Sequence, residues 1–391
     1  MAHTLAGVEE LEQIRGDAAT VASATAAART GLVDREVLVD VVVLCAVARE
    51  HVLVVGPPGT AKSEAIRRVA RHLGESYFEY LIGRFTEPNE IFGPIDLTAL
   101  RDGVVRVETS GMLPEAELVF LDEVFLGSTA ILNTLLGLLN EREYRRGSTH
   151  VHSPLRTCVG ACNVLPEDPS LAAFADRFLA HVFVDPVPDA RLEELLELGW
   201  QGDAHQSEAS PSSMAAELDR LSAAARSVEL VDVVPLVGTA VRTLRTAGIL
   251  LSDRRVVRAQ RLVAAASVLD GRVRADQRDL WVLPLIAPTA DAQALASEVL
   301  AELISSSSNL GLPHAAEAFS HGPAARAARM RNAALDLLAD EHAADRALRA
   351  EALLREIDAS FGPETLPADL AEIRSELASA LPEMAGEPEA R

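Results

Sequence analysis

The chain has 391 residues, of which 49% are hydrophobic and 24% are charged, a balance that excludes a disordered protein and predicts two or three folded domains. Its 58 acidic and 36 basic side chains give a formal net charge of −22, which disfavours nucleic acids and anionic membranes as partners. Three cysteines and the lack of a long apolar run predict a cytoplasmic protein without disulfides or a membrane helix.

The first 200 residues alternate between helical and strand-like patterns. Helices are predicted over about residues 6–29 and over residues 32–48, and a helix over residues 63–73 is expected to end at Gly74. Short β-branched apolar runs predict strands over residues 51–55, 77–82, 118–121, 155–161 and 181–184. Because strands that alternate with helices form parallel sheets, we expect an α/β domain over residues 1–200 with a parallel five-stranded sheet flanked by helices.

Two segments interrupt this alternation. Residues 85–114 are rich in glycine, proline and turn residues, with a hairpin-like centre around Asp102 and Gly103. Residues 143–156 also have the pattern of a hairpin, which turns near Gly147 and Ser148. Neither segment is a regular connection between a helix and a strand, so both are predicted to be insertions into the α/β domain.

Beyond this domain the sequence is predicted to be almost entirely helical. A polar linker over residues 201–213 leads to an all-α domain over residues 214–310. Helices are expected there over residues 215–225, 233–245, 254–267, 275–285 and 290–304. A loop over residues 305–323 and a long helix or helical hairpin over residues 324–360 follow. Residues 311–391 form a predicted helical extension, whose acidic end over residues 381–391 is expected to be disordered.

A phosphate-binding loop is predicted directly after the first strand. Its residues are Gly56, Pro57, Pro58, Gly59, Thr60, Ala61, Lys62 and Ser63. Glycines let backbone N–H groups wrap a phosphate, while the lysine reaches the phosphates of ATP and the serine reaches a Mg²⁺ ion. Lys62 is the only lysine in the chain, which indicates a role that arginine does not fill. Ala61 stands where the motif has its second glycine, and alanine is small enough to hold the loop if its φ stays negative.

Polar residues follow two later strands. Asp122 and Glu123 come after an apolar run, where a parallel sheet presents its carboxyl edge to ligands. Asp122 is predicted to hold Mg²⁺, and Glu123 is predicted to act as the general base that polarises a water for attack on a γ-phosphate. Asn163, after the next strand, is a candidate for orienting that water, although asparagine also favours turns for local reasons.

With these motifs in this order, the chain resembles the AAA+ ATPases, and within them the MoxR family and its RavA-like branch. The resemblance rests on the segments GPPGTAKS, VFLDEV, ACN, ADRF and LSDRR. Three further pairs of segments narrow the resemblance to the MoxR family and its RavA-like branch: RFTEP with IFGP, TSG with PEAE, and AILNTLL with LNER. It covers about residues 30–285 and implies a P-loop AAA+ domain followed by an all-α lid.

The resemblance implies a role for the polar residues of the α/β domain. Lys62 and Ser63 belong to Walker A, Asp122 and Glu123 belong to Walker B, and Asn163 falls at sensor 1. ATP with Mg²⁺, held by Ser63 and Asp122, is therefore the implied nucleotide.

It also implies roles for arginines and for the two insertions. Arg177 falls at the arginine finger, which acts on the nucleotide of the neighbouring subunit, and Arg254 falls at sensor 2, with Arg255 as the alternative. Residues 85–114 match the helix-2 insertion and residues 143–156 the pre-sensor-1 hairpin, both of which face the pore in such proteins. Because an arginine supplied by a neighbour makes catalysis depend on assembly, we expect a homo-oligomeric ring, with a hexamer as the expected size.

The leading functional hypothesis is a chaperone-like ATPase that remodels or activates an unidentified protein. The resemblance implies a separately encoded partner with a von Willebrand A domain. A regulatory ATP-binding scaffold with slow turnover is disfavoured by the Asp122-Glu123 pair and Arg177. A nucleic-acid motor fits the two insertions but not the negative charge, and a small-molecule kinase has no use for the lid or the arginine finger.

Overall fold

The computed structural model describes residues 2–74, 76–188, 191–202, 213–320, 323–339, 346–361 and 366–384. The chain forms two compact units, residues 1–185 with 207–320, and residues 186–206 with 321–391. The strands, all in the first unit, are β1 (Val52–Val55), β2 (Tyr77–Leu81), β3 (Leu118–Asp122), β4 (Glu143–Arg146), β5 (Thr149–His152), β6 (Thr157–Cys162) and β7 (Ala180–Phe183).

Helices occupy most of the remaining chain. In chain order they are α1 (Ala2–Arg29), α2 (Glu36–Ala48), α3 (Lys62–Leu73), α4 (Pro88–Phe92), α5 (Leu97–Arg101), α6 (Thr129–Glu141), α7 (Pro169–Ala175), α8 (Leu192–Gly202), α9 (Ala215–Ser227), α10 (Val234–Thr246), α11 (Asp253–Leu269), α12 (Ala290–Val299), α13 (Ala301–Ile304), α14 (Pro313–Ser320), α15 (Pro323–Ala339), α16 (Arg346–Ser360) and α17 (Ala368–Met384).

A parallel sheet with the strand order β2-β3-β6-β1-β7 organises the first unit. The predicted α/β fold with a five-stranded parallel sheet is therefore confirmed. Alternate residues of a strand point to opposite faces, and β1 is buried on both of them. Val52 and Val54 join the core formed with α1, α2 and α3, whereas Leu53 and Val55 join the core formed with α6.

The helices that support the phosphate loop follow from their sequences. In α2, 11 of 13 residues are buried, because this valine-rich helix lies between the sheet and the helices α9, α11 and α14. Helix α3 buries one apolar face and ends at Gly74, whose φ of +65° is favourable for glycine. The end predicted at Gly74 is where the helix ends.

Two predicted segments of the helical part differ from the structure. The helix predicted over residues 275–285 is a pair of 3₁₀ turns, Gln277–Val282 and Pro284–Ile286, because Asp276 and Asp279 form a capping box and Pro284 lacks the N–H that a continuous helix needs. The loop predicted over residues 305–323 contains α14, whose Ala315 N–H donates to the buried Asp40 carboxylate. The loop prediction was wrong because Asp40 caps α14 from a distant helix.

The two insertions pack against each other. Residues 85–114 contain α4 and α5, and an antiparallel bridge joins Ile95 to Val107. Between these two residues the chain reverses through α5 and the turn at Asp102 and Gly103, where the hairpin-like centre was predicted. Residues 143–156 contain the predicted hairpin, β4 and β5. The backbone N–H and the hydroxyl of Ser148 both donate to the carbonyl of Val105 at 2.8 Å. The tip of the hairpin is therefore bonded to the first insertion.

The second unit has its own apolar core. Helices α15, α16 and α17 bring together Ala334, Ile357, Leu370 and Leu377. The segment predicted as a long helix or hairpin over residues 324–360 contains two helices, and α17 continues through Met384 into the segment expected to be disordered. The rest of that tail, and residues 203–212 of the predicted linker, lie outside the described residues. None of the helices in the described ranges combines the length and apolar character that crossing a membrane requires.

Candidate nucleotide-phosphate site

The phosphate loop, residues 56–63, connects β1 to α3 and holds Lys62 close against its own backbone. The Lys62 ammonium donates to the carbonyls of Gly56 and Pro57, at 2.8 Å each, and its side chain is buried. Burial lowers the pKa of Lys62, and the nearby carboxylates of Asp122 and Glu123 oppose this shift. The predicted lysine thus lies within electrostatic reach of both predicted carboxylates.

Two glycines are required by the shape of the loop. A Cβ at Gly56 would lie 2.1 Å from the carbonyl oxygen of Val184 in the strand segment alongside, so a larger residue cannot occupy this position. Gly59 has a φ of +79°, a conformation that side chains disfavour. Thr60 donates its hydroxyl to the carbonyl of Pro57 at 2.9 Å and closes the loop on itself.

Ala61 departs from its expected conformation. Its φ is +57° and its ψ is 25°, so the loop forms without the negative φ that alanine was expected to need there. A left-handed conformation costs a residue with a Cβ about 1–2 kcal/mol, and the loop adopts it because this geometry turns the chain into α3. Within the described part of the chain, the backbone N–H groups of Ala61, Lys62 and Ser63 donate no hydrogen bond. They form the free N-terminal end of a helix, which attracts anions.

The predicted acidic pair lies at the end of β3. Asp122 is the last residue of the strand, and Glu123 follows it with a φ of +51° and a ψ of 43°. The Glu123 N–H donates to a carboxylate oxygen of Asp122 at 3.0 Å. The two carboxylates therefore leave the sheet edge in a fixed relation, since the backbone of Glu123 is held in an uncommon conformation.

Asn163 contacts the predicted base directly. Its side-chain amide donates to a carboxylate oxygen of Glu123 at 2.6 Å. The contact follows from the strand order, because β6, which ends just before Asn163, lies between β3 and β1. The three neighbouring strand ends thus place the loop, the acidic pair and the asparagine at one edge, which is where open parallel sheets bind ligands.

The oxygen ligands at this edge suit a magnesium ion. Ser63 is in the first turn of α3, and among the contacts of the described residues the Asp122 carboxylate accepts a hydrogen bond only from the Glu123 N–H. A hydroxyl and a carboxylate are hard oxygen donors, which Mg²⁺ prefers, and it completes its shell with waters and phosphate oxygens. The chemistry of the donor set fits the predicted metal.

Arg177 is separate from the loop that it was predicted to complete in a neighbour. It follows α7, its guanidinium lies 3.9 Å from Asp176, and 27% of its side chain is exposed. No hydrogen bond or ion pair within the described residues joins it to residues 56–63. Its Nε is buried and has no hydrogen-bond partner there, so the 3.9 Å ion pair with Asp176 is the side-chain contact recorded for Arg177 among the described residues.

The adjacent arginines at the start of α11 have different environments. Arg255 is buried and donates to the carbonyls of Leu179 and Ile286, with its other nitrogen 3.3 Å from Asp176. These contacts make Arg255 a clamp between α11 and the segment before β7. Arg254 is less buried and donates to the Asn140 side chain. Of the two, Arg254 is the one whose side chain bonds no backbone carbonyl of the described residues.

A family model and several relatives match this chain. The model of the MoxR domain in the MoxR–vWA–β-propeller ternary systems matches residues 19–223. The chain belongs to the MoxR family of AAA+ ATPases. Two uncharacterized proteins of Methanocaldococcus jannaschii are each 36% identical to this MoxR protein, over 255 and 252 residues. Each match covers 64% of this chain and, respectively, 66% and 65% of the relative, so it spans slightly less than two thirds of their length.

A viral protein matches part of the sequence, and a solved structure matches the fold. A structural protein of Acidianus two-tailed virus is 32% identical over 142 residues, which are 35% of this MoxR protein and 23% of the viral one. A crystal structure of a candidate ATPase from Cytophaga hutchinsonii superposes with a TM-score of 0.62 at 15% identity, covering 77% of this chain and 98% of that chain. At that identity the structural match shows the fold alone.

Sequence reasoning missed Arg35 of this MoxR protein. Arg35 precedes α2 and is almost completely buried. It donates to the carbonyl of Thr60 in the phosphate loop at 2.7 Å, to that of Asp185 at 2.7 Å, and to that of Asp34. No pattern distinguishes it among 35 arginines, because all three acceptors are backbone atoms brought together by folding.

Sequence reasoning also missed Glu50, which joins α11 to the turn before β1. Glu50 is fully buried in the turn before β1, and its carboxylate lies 3.2 Å from Arg258 and 2.9 Å from Arg261 of α11. Burial raises the pKa of Glu50, and the two arginines oppose this effect. Helix α11, which contains Arg254, is thus anchored next to the first strand of the sheet.

Proposed function

We propose that this chain is a Mg-ATP-hydrolysing MoxR-type AAA+ ATPase that works as a homo-oligomeric ring, a hexamer, and remodels or activates a partner protein. The observation that carries the proposal is the meeting of Lys62, Asp122, Glu123 and Asn163 at three neighbouring strand ends. A phosphate loop alone would serve binding. The loop with a carboxylate positioned by an asparagine serves attack by water on the terminal phosphate.

Lys62 and the free backbone N–H groups would bind the phosphates. The Lys62 ammonium, now bonded to the carbonyls of Gly56 and Pro57, would exchange them for β- and γ-phosphate oxygens. The N–H groups of Ala61, Lys62 and Ser63 point out of the helix start and would donate to the same anion. Ser63 and Asp122 would hold Mg²⁺, which neutralises charge on the transferring phosphoryl group.

Glu123 would then act as the general base. Its carboxylate takes a proton from the attacking water, the water oxygen bonds to the γ-phosphorus, and the bond from that phosphorus to the bridging oxygen of ADP breaks. Asn163 holds one carboxylate oxygen at 2.6 Å and so fixes the direction in which the other oxygen faces the water.

Arg177 of the adjacent subunit would supply the remaining charge. It makes no contact with its own phosphate loop and its Nε has no partner among the described residues. An arginine that reaches the phosphoryl group from a neighbour contributes about three to five orders of magnitude in rate. Arg254 is the better candidate for sensor 2, because Arg255 is occupied by two backbone carbonyls.

The matched family model supports the choice of partner. It describes MoxR domains from systems that also contain a vWA and a β-propeller component. We propose that this chain acts with a separately encoded von Willebrand A domain protein, that a β-propeller protein is the third component, and that all three meet in the cytoplasm. The RavA-like branch remains our assignment from the sequence segments RFTEP and LNER.

A regulatory scaffold with slow turnover is the second candidate function. The observation that favours it is the 2.6 Å bond between Asn163 and Glu123, which also occupies the base. Phosphate release by the wild type and by Glu123→Gln separates the two functions. An ATPase requires the wild type to release phosphate continuously and the variant to stop, whereas equal rates would leave only the scaffold.

A further inference from the structure

Arg35 hydrogen-bonds to the phosphate loop at Thr60, the residue before Ala61, whose φ is positive. Its Nε donates to the Thr60 carbonyl at 2.7 Å, and a second nitrogen donates to the Asp185 carbonyl at 2.7 Å. Bonds from a charged donor are about twice as strong as neutral ones, and this guanidinium is almost fully buried. Arg35 therefore joins the phosphate loop to the segment that follows β7.

The direction of the Thr60 carbonyl sets the direction of the next N–H group. The peptide between Thr60 and Ala61 is trans and planar, so its C=O and its N–H point in opposite directions. With the carbonyl held by Arg35, the Ala61 N–H points away from Arg35 and makes no hydrogen bond to the described residues. This is an N–H group that an anion at the start of α3 can accept.

The positive φ of Ala61 explains why the hydrogen bond from Arg35 to Thr60 is needed. A glycine at this position would adopt a φ of +57° without a penalty, whereas alanine resists it. A loop with alanine here tends to relax toward a negative φ, which would rotate the peptide and its N–H. The bond from Arg35 opposes that rotation.

We propose that Arg35 is a positioning residue that holds the Thr60–Ala61 peptide in its phosphate-binding orientation and thereby allows alanine to replace the motif's glycine. The inference rests on the proposed nucleotide-binding function of the same loop. Arg35 hydrogen-bonds to backbone carbonyls and lies 3.5 Å from the Asp34 carboxylate. In this proposal it acts on the nucleotide only through the Ala61 N–H.

A double-mutant cycle tests this role through ADP affinity. The variants are Arg35→Lys, Ala61→Gly and both together, and the affinity for ADP with Mg²⁺ is measured by calorimetry in the full chain. Lysine keeps the charge but loses the planar fork that reaches two carbonyls. We expect Arg35→Lys to weaken ADP binding about tenfold or more, and by no more than about threefold when Ala61→Gly is also present.

Arg156→Gln is the matched control. Arg156 is as buried as Arg35 but lies before β6, at the sheet edge opposite Asn163, where it bonds Asp219 and Glu117. The Arg156→Gln substitution should lower the melting temperature without ADP and leave the ADP affinity within about twofold of the wild type. Equal weakening of ADP binding by Arg35→Lys and Arg156→Gln would overturn the proposal, since both would then act through general stability.

Other outcomes also decide the matter. Unchanged ADP affinity in Arg35→Lys, or the same loss with and without Ala61→Gly, contradicts the positioning role. If Arg35→Lys alone does not fold, a folded double variant and a higher melting temperature for Ala61→Gly support the proposal, whereas an unfolded double variant rejects it. A wild type that binds no ADP would instead contradict the proposed function, and that result is distinct from all of these.

Discussion

The side-chain amide of Asn163 donates a hydrogen bond of 2.6 Å to the carboxylate of Glu123. The two residues are 40 positions apart in the chain, and they meet because β6 and β3 are neighbours in a parallel sheet. The bond connects the predicted base to the strand beside the phosphate loop. Because this bond orients the Glu123 carboxylate, substitutions at Asn163 should lower kcat and leave the affinity for the nucleotide unchanged.

Replacing either residue should lower turnover without weakening nucleotide binding. Glu123→Gln removes the base and should reduce kcat by about 10²–10⁴-fold, while Asn163→Ala leaves the base unoriented and should reduce it by about tenfold. Steady-state phosphate release together with ADP titration measures both parameters. A rise in KM at unchanged kcat for Asn163→Ala would mean that the asparagine binds nucleotide rather than orienting Glu123.

Lysine at position 62 should not be replaceable by arginine. The ammonium fits between two carbonyls at 2.8 Å in a buried site, and a planar guanidinium is too large to take its place and then turn to a phosphate. We expect Lys62→Arg to abolish turnover and to weaken ADP binding at least about tenfold.

The control for that experiment is Arg67→Lys. Arg67 is an exposed residue of the same helix, with surface ion pairs to Glu64 and Glu79, and such pairs contribute little. Its activity should equal that of the wild type. A fully active Lys62→Arg would contradict the assignment of the phosphate loop.

Asp40 should make stability depend on pH. It is fully buried, 3.3 Å from Arg29, and burial raises its pKa to about 7 from an ordinary value of 3.8. A carboxyl whose pKa is higher in the folded state binds more protons there than when unfolded. Its contribution to stability is therefore complete below about pH 4 and is lost as the pH rises through about 7.

Urea unfolding at pH 5 and pH 8 measures this loss. Relative to Asp40→Asn, which does not titrate, the wild type should lose about 2 kcal/mol of unfolding free energy over that range. The comparison cancels other titrating groups, among them Asp279, whose pKa burial raises to about 6. Parallel pH profiles for the two proteins would show that Asp40 stays charged.

The sequence was sufficient for the residues whose positions follow from strand ends. Asp122 and Asn163 each come at the end of an apolar run, Lys62 lies in the loop that follows another, and parallel strands bring such positions to one edge. The order of the strands explains why Asn163 meets Glu123, and this contact was not foreseen. Asparagine was predicted to orient the water, whereas the structure shows it holding the carboxylate.

Contacts to backbone atoms were beyond the sequence. Arg35 donates hydrogen bonds to carbonyls of three segments. Every residue has a backbone carbonyl, so the sequence does not indicate which of them an arginine contacts. The positive φ of Ala61 was missed for the same reason, since the conformation is set by the loop and by its neighbours rather than by alanine's preference. Helix α14 was missed because its cap, Asp40, lies in α2.

The assembled site can be tested by mixing two inactive proteins. Lys62→Arg disables the loop but keeps Arg177, whereas Arg177→Ala keeps the loop but cannot serve a neighbour. Since Arg177 makes no contact with its own phosphate loop among the described residues, a ring that contains both variants should hold composite sites with an intact loop and an intact arginine. We predict that each variant alone is inactive and that an equimolar mixture recovers about a quarter of the wild-type phosphate release, because random mixing pairs the intact halves at that frequency. A mixture as inactive as its components, under conditions where the two are shown to assemble together, would contradict the shared site on which this account of the protein depends.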